Sequence, residues 1–136
     1  MAKLGLARCE HAEGRTAEAQ ATYRALIELE NVGNEVLAGA WNGLGDILSQ
    51  DAAKAKNAEK LTEALFMYLR GVVEFGPAPG EGTSAYERAL ASSGRVFQQL
   101  SDLETDDARK KQHQQRSKQR LDQLRKEFPN SIYLKT

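Results

Sequence analysis

The sequence predicts an all-α chain, on two features. Apolar residues recur at steps of three and four, the spacing that gathers side chains onto one face of a helix. Trp41, Leu44 and Leu48 form one such stripe, and Leu61, Leu65, Tyr68, Leu69 and Val72 form another. Between the stripes stand residues that end helices: Gly14, then Asn31, Gly33 and Asn34, then Phe75-Gly76-Pro77, and finally Phe128-Pro129. Proline has no backbone N–H to continue the helical ladder, and glycine readily takes the left-handed turn that closes a helix.

The rest of the chain is organised around residues 40–77. Gly45 lies beside the Trp41–Leu44–Leu48 stripe, where the missing side chain lets another helix come close. Ala64 and Tyr68, four apart, make a small–large pair on an answering helix. The block Trp41-Asn42-Gly43-Leu44-Gly45-Asp46-Ile47-Leu48, followed by Ala64, Tyr68 and Pro77, resembles the tetratricopeptide repeat (TPR) family. Leu48 stands at the family's Tyr place, and the run 49–60 is about seven residues longer than the family's turn needs. The resemblance implies a right-handed superhelix of about three antiparallel helix pairs, over 1–31, 34–77 and 84–130, as a single domain and a piece of a longer array.

Taken in order, residues 2–29 read as a first pair broken at Gly14, with Thr16 as a cap and Ala19, Tyr23, Leu26 and Ile27 on the buried face. Its Leu6 and Ala7 take the family's Leu and Gly places, whereas Lys3 and Glu10 stand where apolar residues are usual. Gly33 suits a left-handed helix end and Asn34 an N-cap. The run 51–57 is helix-permissive and predicts an extended first helix breaking near Asn57. Three glycines and two prolines within 76–82 predict a plain linker over 76–83. No Gly-Lys-Ser/Thr follows it, so it is no phosphate cradle. Ser84-x-x-Glu87 has the form of a capping box, opening a helix from Tyr86 to Leu100. Its Leu90, Ser93, Gly94 and Phe97 can be laid on Trp41, Leu44, Gly45 and Leu48. A polar break with a second cap at Ser101-x-x-Glu104 precedes a last helix over about 106–128. Trp41 is expected to be largely buried near Tyr23 and Ile27. Ile132, Tyr133 and Leu134 are expected to dock beside Leu121 and Phe128 or to mediate self-association.

The composition narrows the functional classes. Net charge is zero, with 19 basic and 19 acidic residues, which argues against a global polyanion binder. No apolar run approaches the roughly 20 residues of a membrane span. The first residues lack a signal peptide's apolar segment, yet a signal upstream of a fragment would place the chain in a bacterial periplasm or envelope rather than the cytoplasm. Cys9 is the one cysteine, so neither an internal disulfide nor a cysteine metal site forms. Cys9 and His11 are two apart, on diverging helix faces. His11 with Glu10 or Glu13 has poor ligand spacing for a metal. No nucleophile elbow or His-Glu-x-x-His helix is present. The expectation is a non-enzyme without cofactor or metal.

Two sets of residues remain. The resemblance implies that the first helix of each pair lines a concave groove for a peptide or protein partner. Carried onto this sequence, those positions are Arg8 and His11, then Asn42, Asp46 and Gln50, then Arg95, Gln98 and Gln99. Asn42, Asp46 and Gln50 are spaced four apart and form a polar ridge. Asp46 and Arg95 are expected either to select a ligand charge or to pair with each other. The Lys and Asn pattern of carboxylate-clamp members is not reproduced. The alternative is a helical module that binds an anionic partner, whether nucleic acid, acidic protein or lipid. Residues 109–126 carry Arg109, Lys110, Lys111, Arg116, Lys118, Arg120, Arg125 and Lys126 against Asp122 alone. No aromatic residue is interleaved between Asp107 and Leu121, so a base-stacking platform is missing and nucleic acid is disfavoured.

Overall fold

The computed structural model describes residues 2–80 and 82–135, with Ala2 described by its backbone alone. Glu81, within the linker expected over 76–83, and the chain ends Met1 and Thr136 lie outside the described residues. The described chain is all-helical: α1 (Ala2–Ala12), α2 (Thr16–Ile27), α3 (Asn34–Ala55), α4 (Ala58–Val73), α5 (Ser84–Leu103), α6 (Asp107–Glu127), and a closing 3-10 turn (Ile132–Lys135). Each helix packs on the next, and α3 also packs on α1 and α5.

Local chemistry sets the breaks. Gly14 takes a positive φ of 82° between α1 and α2. α3 runs through the helix-permissive segment and stops where Lys56 turns left-handed. The amide of Asn57 then reaches back to the Ala52 carbonyl at 2.9 Å, closing the last turn. Asn57 immediately caps α4, its side chain accepting from the Lys60 amide at 3.1 Å. Asp106 caps α6 in the same way, accepting from the Arg109 amide at 2.9 Å.

Several expected boundaries differ. Asn31, not Gly33, adopts the left-handed conformation, and Gly33 is the extended N-cap of α3. Asn34 is the first helical residue, and its side chain donates to the Gly76 carbonyl at 2.9 Å, tying the start of α3 to the end of α4. Thr16 likewise begins α2 without capping it. Ser84 does not form a capping box, because its hydroxyl donates to Glu35 at the start of α3. Ser101 is no cap either. α5 continues to Leu103, and Ser101 is fully buried inside it.

Three apolar clusters run along the chain. The first joins Leu4 and Ala7 of α1 to Tyr23 and Leu26 of α2 and to Leu44 and Ile47 of α3. The second joins Ala52 of α3 to Leu61, Leu65 and Tyr68 of α4 and to Val96, Phe97 and Leu100 of α5. The third joins Leu90 of α5 to Leu124 of α6, with Leu121, Phe128, Tyr133 and Leu134 packed around them. The C-terminal turn therefore docks on α5 and α6. Burying a leucine completely contributes about 1.5–3 kcal/mol, so these clusters dominate stability.

Trp41 is largely covered, as expected, packed like Ile27 against the cluster that holds Tyr23. It sits at the edge of the first cluster, and the Arg70 guanidinium covers its ring 4.4 Å from the centroid. Tyr23 of α2 packs directly on α3. A Cβ on Gly43 would collide with three atoms of the Tyr23 ring, and one on Gly45 would stand 2.8–3.0 Å from the ring of Tyr68. Two tyrosines, one from α2 and one from α4, thus lie against glycines of α3. Glu10, at a usually apolar place, is buried but accepts the Thr22 hydroxyl at 2.9 Å, which offsets part of its desolvation.

Candidate binding cleft

The two tyrosines carry the core to the surface. Their rings are almost fully buried, while both residues also line a cleft of about 770 Å³. Its walls come from the first helix of each pair: Arg8 and His11 from α1, Asp46, Ser49 and Gln50 from α3, and Ser84, Arg88 and Arg95 from α5. Tyr133 of the C-terminal turn closes one side.

Asp46 is the centre of the floor. One carboxylate oxygen accepts the Tyr68 hydroxyl at 2.7 Å, and the other is paired with Arg88. The Ser49 hydroxyl stands 3.2 Å from that of Tyr68. Burial first, and then the Asp46 carboxylate, raise the Tyr68 hydroxyl above the ordinary tyrosine range. Tyr23 is raised for the same two reasons. Burial works against the charge on Arg88, but Asp46 outweighs it, so the guanidinium is held above its ordinary value. At neutral pH the floor is therefore a closed set of neutral phenols and a compensated ion pair.

The rim is different. Arg8 and Arg95 are exposed, line the cleft, and make no hydrogen bond or ion pair among the described residues. His11 meets Gln50 across α1 and α3, with 3.1 Å between ring nitrogen and amide oxygen. Among the described residues that line the cleft, three arginines stand against one carboxylate, a cationic balance.

Of the groove residues expected from sequence, Arg8, His11, Asp46, Gln50 and Arg95 come together here. Asn42 does not. It is 1% exposed, and its amide donates to the Ala85 carbonyl at 2.9 Å, joining α3 to α5. Small residues explain this: Gly71 of α4 and Ala89 of α5 approach closely enough to cover it. Gln98 is exposed, outside the cleft, and donates to Asp102 at 3.1 Å. Gln99 lines a smaller adjoining hollow with Ala53, Ser92 and Val96, which shares Arg95 and Tyr68 with the main cleft. Asp46 pairs with Arg88 and not with Arg95. Arg88 was missed, although Ser84, Arg88 and Arg95 fall at helical spacing on one face of α5.

The basic residues of α6 stand apart from the cleft, since among the helices α6 packs on α5 alone. Lys118 and Arg125 are paired with Asp122, and Arg120 donates to Gln123 at 3.4 Å. Arg109, Lys110, Lys111 and Arg116 make no ion pair among the described residues. No three His, Cys, Asp or Glu side chains among the described residues are grouped so as to hold a metal. No described helix is long and apolar enough to cross a membrane. No model of a known protein family, no curated protein and no solved structure matches the chain.

Proposed function

We propose that this chain is a TPR-like scaffold, a right-handed superhelix of three helix pairs that holds a peptide segment of a partner protein in the cleft between α1, α3 and α5. The observation that carries the reading is the cleft's construction. Its walls are the first helices of three successive pairs, its floor is braced by core tyrosines, and its rim holds Arg8 and Arg95, which have no partner among the described residues. Its volume lies within the range of about 300–1,000 Å³ typical of binding pockets. The floor is an arrangement for recognition: Asp46 is already satisfied on both oxygens, and the phenols stay protonated at neutral pH.

The test is to select peptides from a random display library on the intact chain and map the selected peptide by amide chemical shifts. Shifts centred on Arg8, Gln50 and Arg95 are the expected result. Shifts confined to the outer face of α6, around Lys110 and Lys111, would replace the groove with the basic-helix alternative. A library that yields no binder to either face would refute the scaffold reading.

A further inference from the structure

From the charge of this cleft we infer that its partner segment is acidic, held by Arg8 at one wall and Arg95 at the other. The inference rests on the peptide-groove reading above and adds the chemistry of the peptide.

Three features lead there. The first is the division of labour among the arginines. Arg88 is consumed by Asp46, whereas Arg8 and Arg95 line the same cleft and form no ion pair among the described residues. An incoming carboxylate at either arginine gains forked, charge-assisted hydrogen bonds and electrostatic complementarity. Asp46, the one carboxylate among the described lining residues, would reject an acidic ligand if it were free. Its pairing with Arg88 and Tyr68 removes that obstacle.

The second feature is spacing. α1 and α5 each pack on α3 and, among the described residues, do not touch each other. Packed helices lie about 8–10 Å apart, so two such steps separate the axes of α1 and α5. An extended peptide rises about 3.3 Å per residue and covers that distance in about five or six residues. The matching ligand is a short extended segment with acidic side chains toward both ends.

The third feature argues against nucleic acid as the anion. The rings of Tyr23 and Tyr68 are sealed in the core and offer no face on which a base could stack.

The experiment uses fluorescein-labelled hexaglutamate, hexaglutamine and hexalysine with the full chain, at low and moderate salt. Hexaglutamate alone should bind, more weakly as salt rises. Arg8→Ala and Arg95→Ala should each weaken it about fivefold, the upper range for a solvent-exposed ion pair, and the double variant about twenty-five-fold. Lys110→Ala/Lys111→Ala should bind as the unaltered chain does. Arg8→Glu/Arg95→Glu should reverse the preference toward hexalysine, which general loss of structure cannot imitate. Loss of hexaglutamate binding in the lysine variant alone would overturn the inference and move the anion site to α6. Failure of hexaglutamate while a library peptide of other composition still maps to the cleft would overturn the acidic partner and leave the groove standing. If neither binds the cleft, both readings fall.

Discussion

The contact between Tyr23 and α3 makes the sharpest prediction about folding, because one substitution should have opposite signs at two glycines. Both Gly5 and Gly43 lie inside helices, where alanine is intrinsically better by about 0.8–1.0 kcal/mol. At Gly5 a Cβ meets nothing within 4 Å, so Gly5→Ala should realise most of that gain and stabilise the chain by about 0.5–1 kcal/mol. At Gly43 the same Cβ lands on the Tyr23 ring, which would have to withdraw by more than an ångström to reach ordinary contact at 3.4 Å. Tyr23 is 2% exposed and packed in the first cluster, so its ring can give way only by leaving that packing toward the cleft or by displacing α2 from α3. Overpacking of a tight core costs about 1–3 kcal/mol and more where the backbone must move. Subtracting the propensity gain leaves a net loss of about 2 kcal/mol for Gly43→Ala. Urea melts followed by circular dichroism at 222 nm measure both variants. A Gly43→Ala chain as stable as the unaltered one would refute the close approach of Tyr23 to α3.

Further predictions follow from the same architecture. Tyr68 holds its proton more tightly folded than unfolded, so its contribution is complete below about pH 10 and is lost as pH rises through the folded value. Stability of the unaltered chain should therefore fall with rising alkalinity. Tyr68→Phe should make that fall shallower while costing about 1–3 kcal/mol at pH 7 through the lost bond to Asp46, both read from urea midpoints across pH. Trp41→Ala should cost about 3–5 kcal/mol, since the ring packs on the first cluster and is covered by Arg70; a loss below about 1 kcal/mol would contradict that placement. Truncation after Asn130 removes Tyr133 and Leu134 from the third cluster and should cost about 2–3 kcal/mol, and an unchanged thermal midpoint would show that the turn is not docked.

The helices were legible because their signals are local. Apolar steps of three and four, the break at Gly14 and the break near Asn57 depend on residues within one or two turns. Failures occurred where a distant residue intervened. Ser84 has the form of a cap, but Glu35, far away in sequence, takes its hydroxyl. Asn42 shares a helix ridge with Asp46, and periodicity alone puts both in the groove. Only the close packing of α5 against α3, through Ala85 and Ala89, decides that Asn42 is covered while Asp46 is not. The partner of Asp46 was sought at Arg95, one face too narrowly. Arg88 lies two turns earlier on the same side of α5, and the register between α3 and α5 selects it.

The placement of Tyr68 bears on how such a molecule diverges. Its ring is part of the interior and its hydroxyl is part of the cleft, so any change to it is judged twice, once by folding and once by recognition. Tyr23, Gly43, Gly45 and Asp46 are bound into the same arrangement. Arg8, Gln50 and Arg95 are not: they are exposed, and none belongs to an apolar cluster. Substitutions along the rim therefore carry little structural risk, while changes to the floor disturb the core. On the proposed reading, ligand preference can shift at the rim without rebuilding the base.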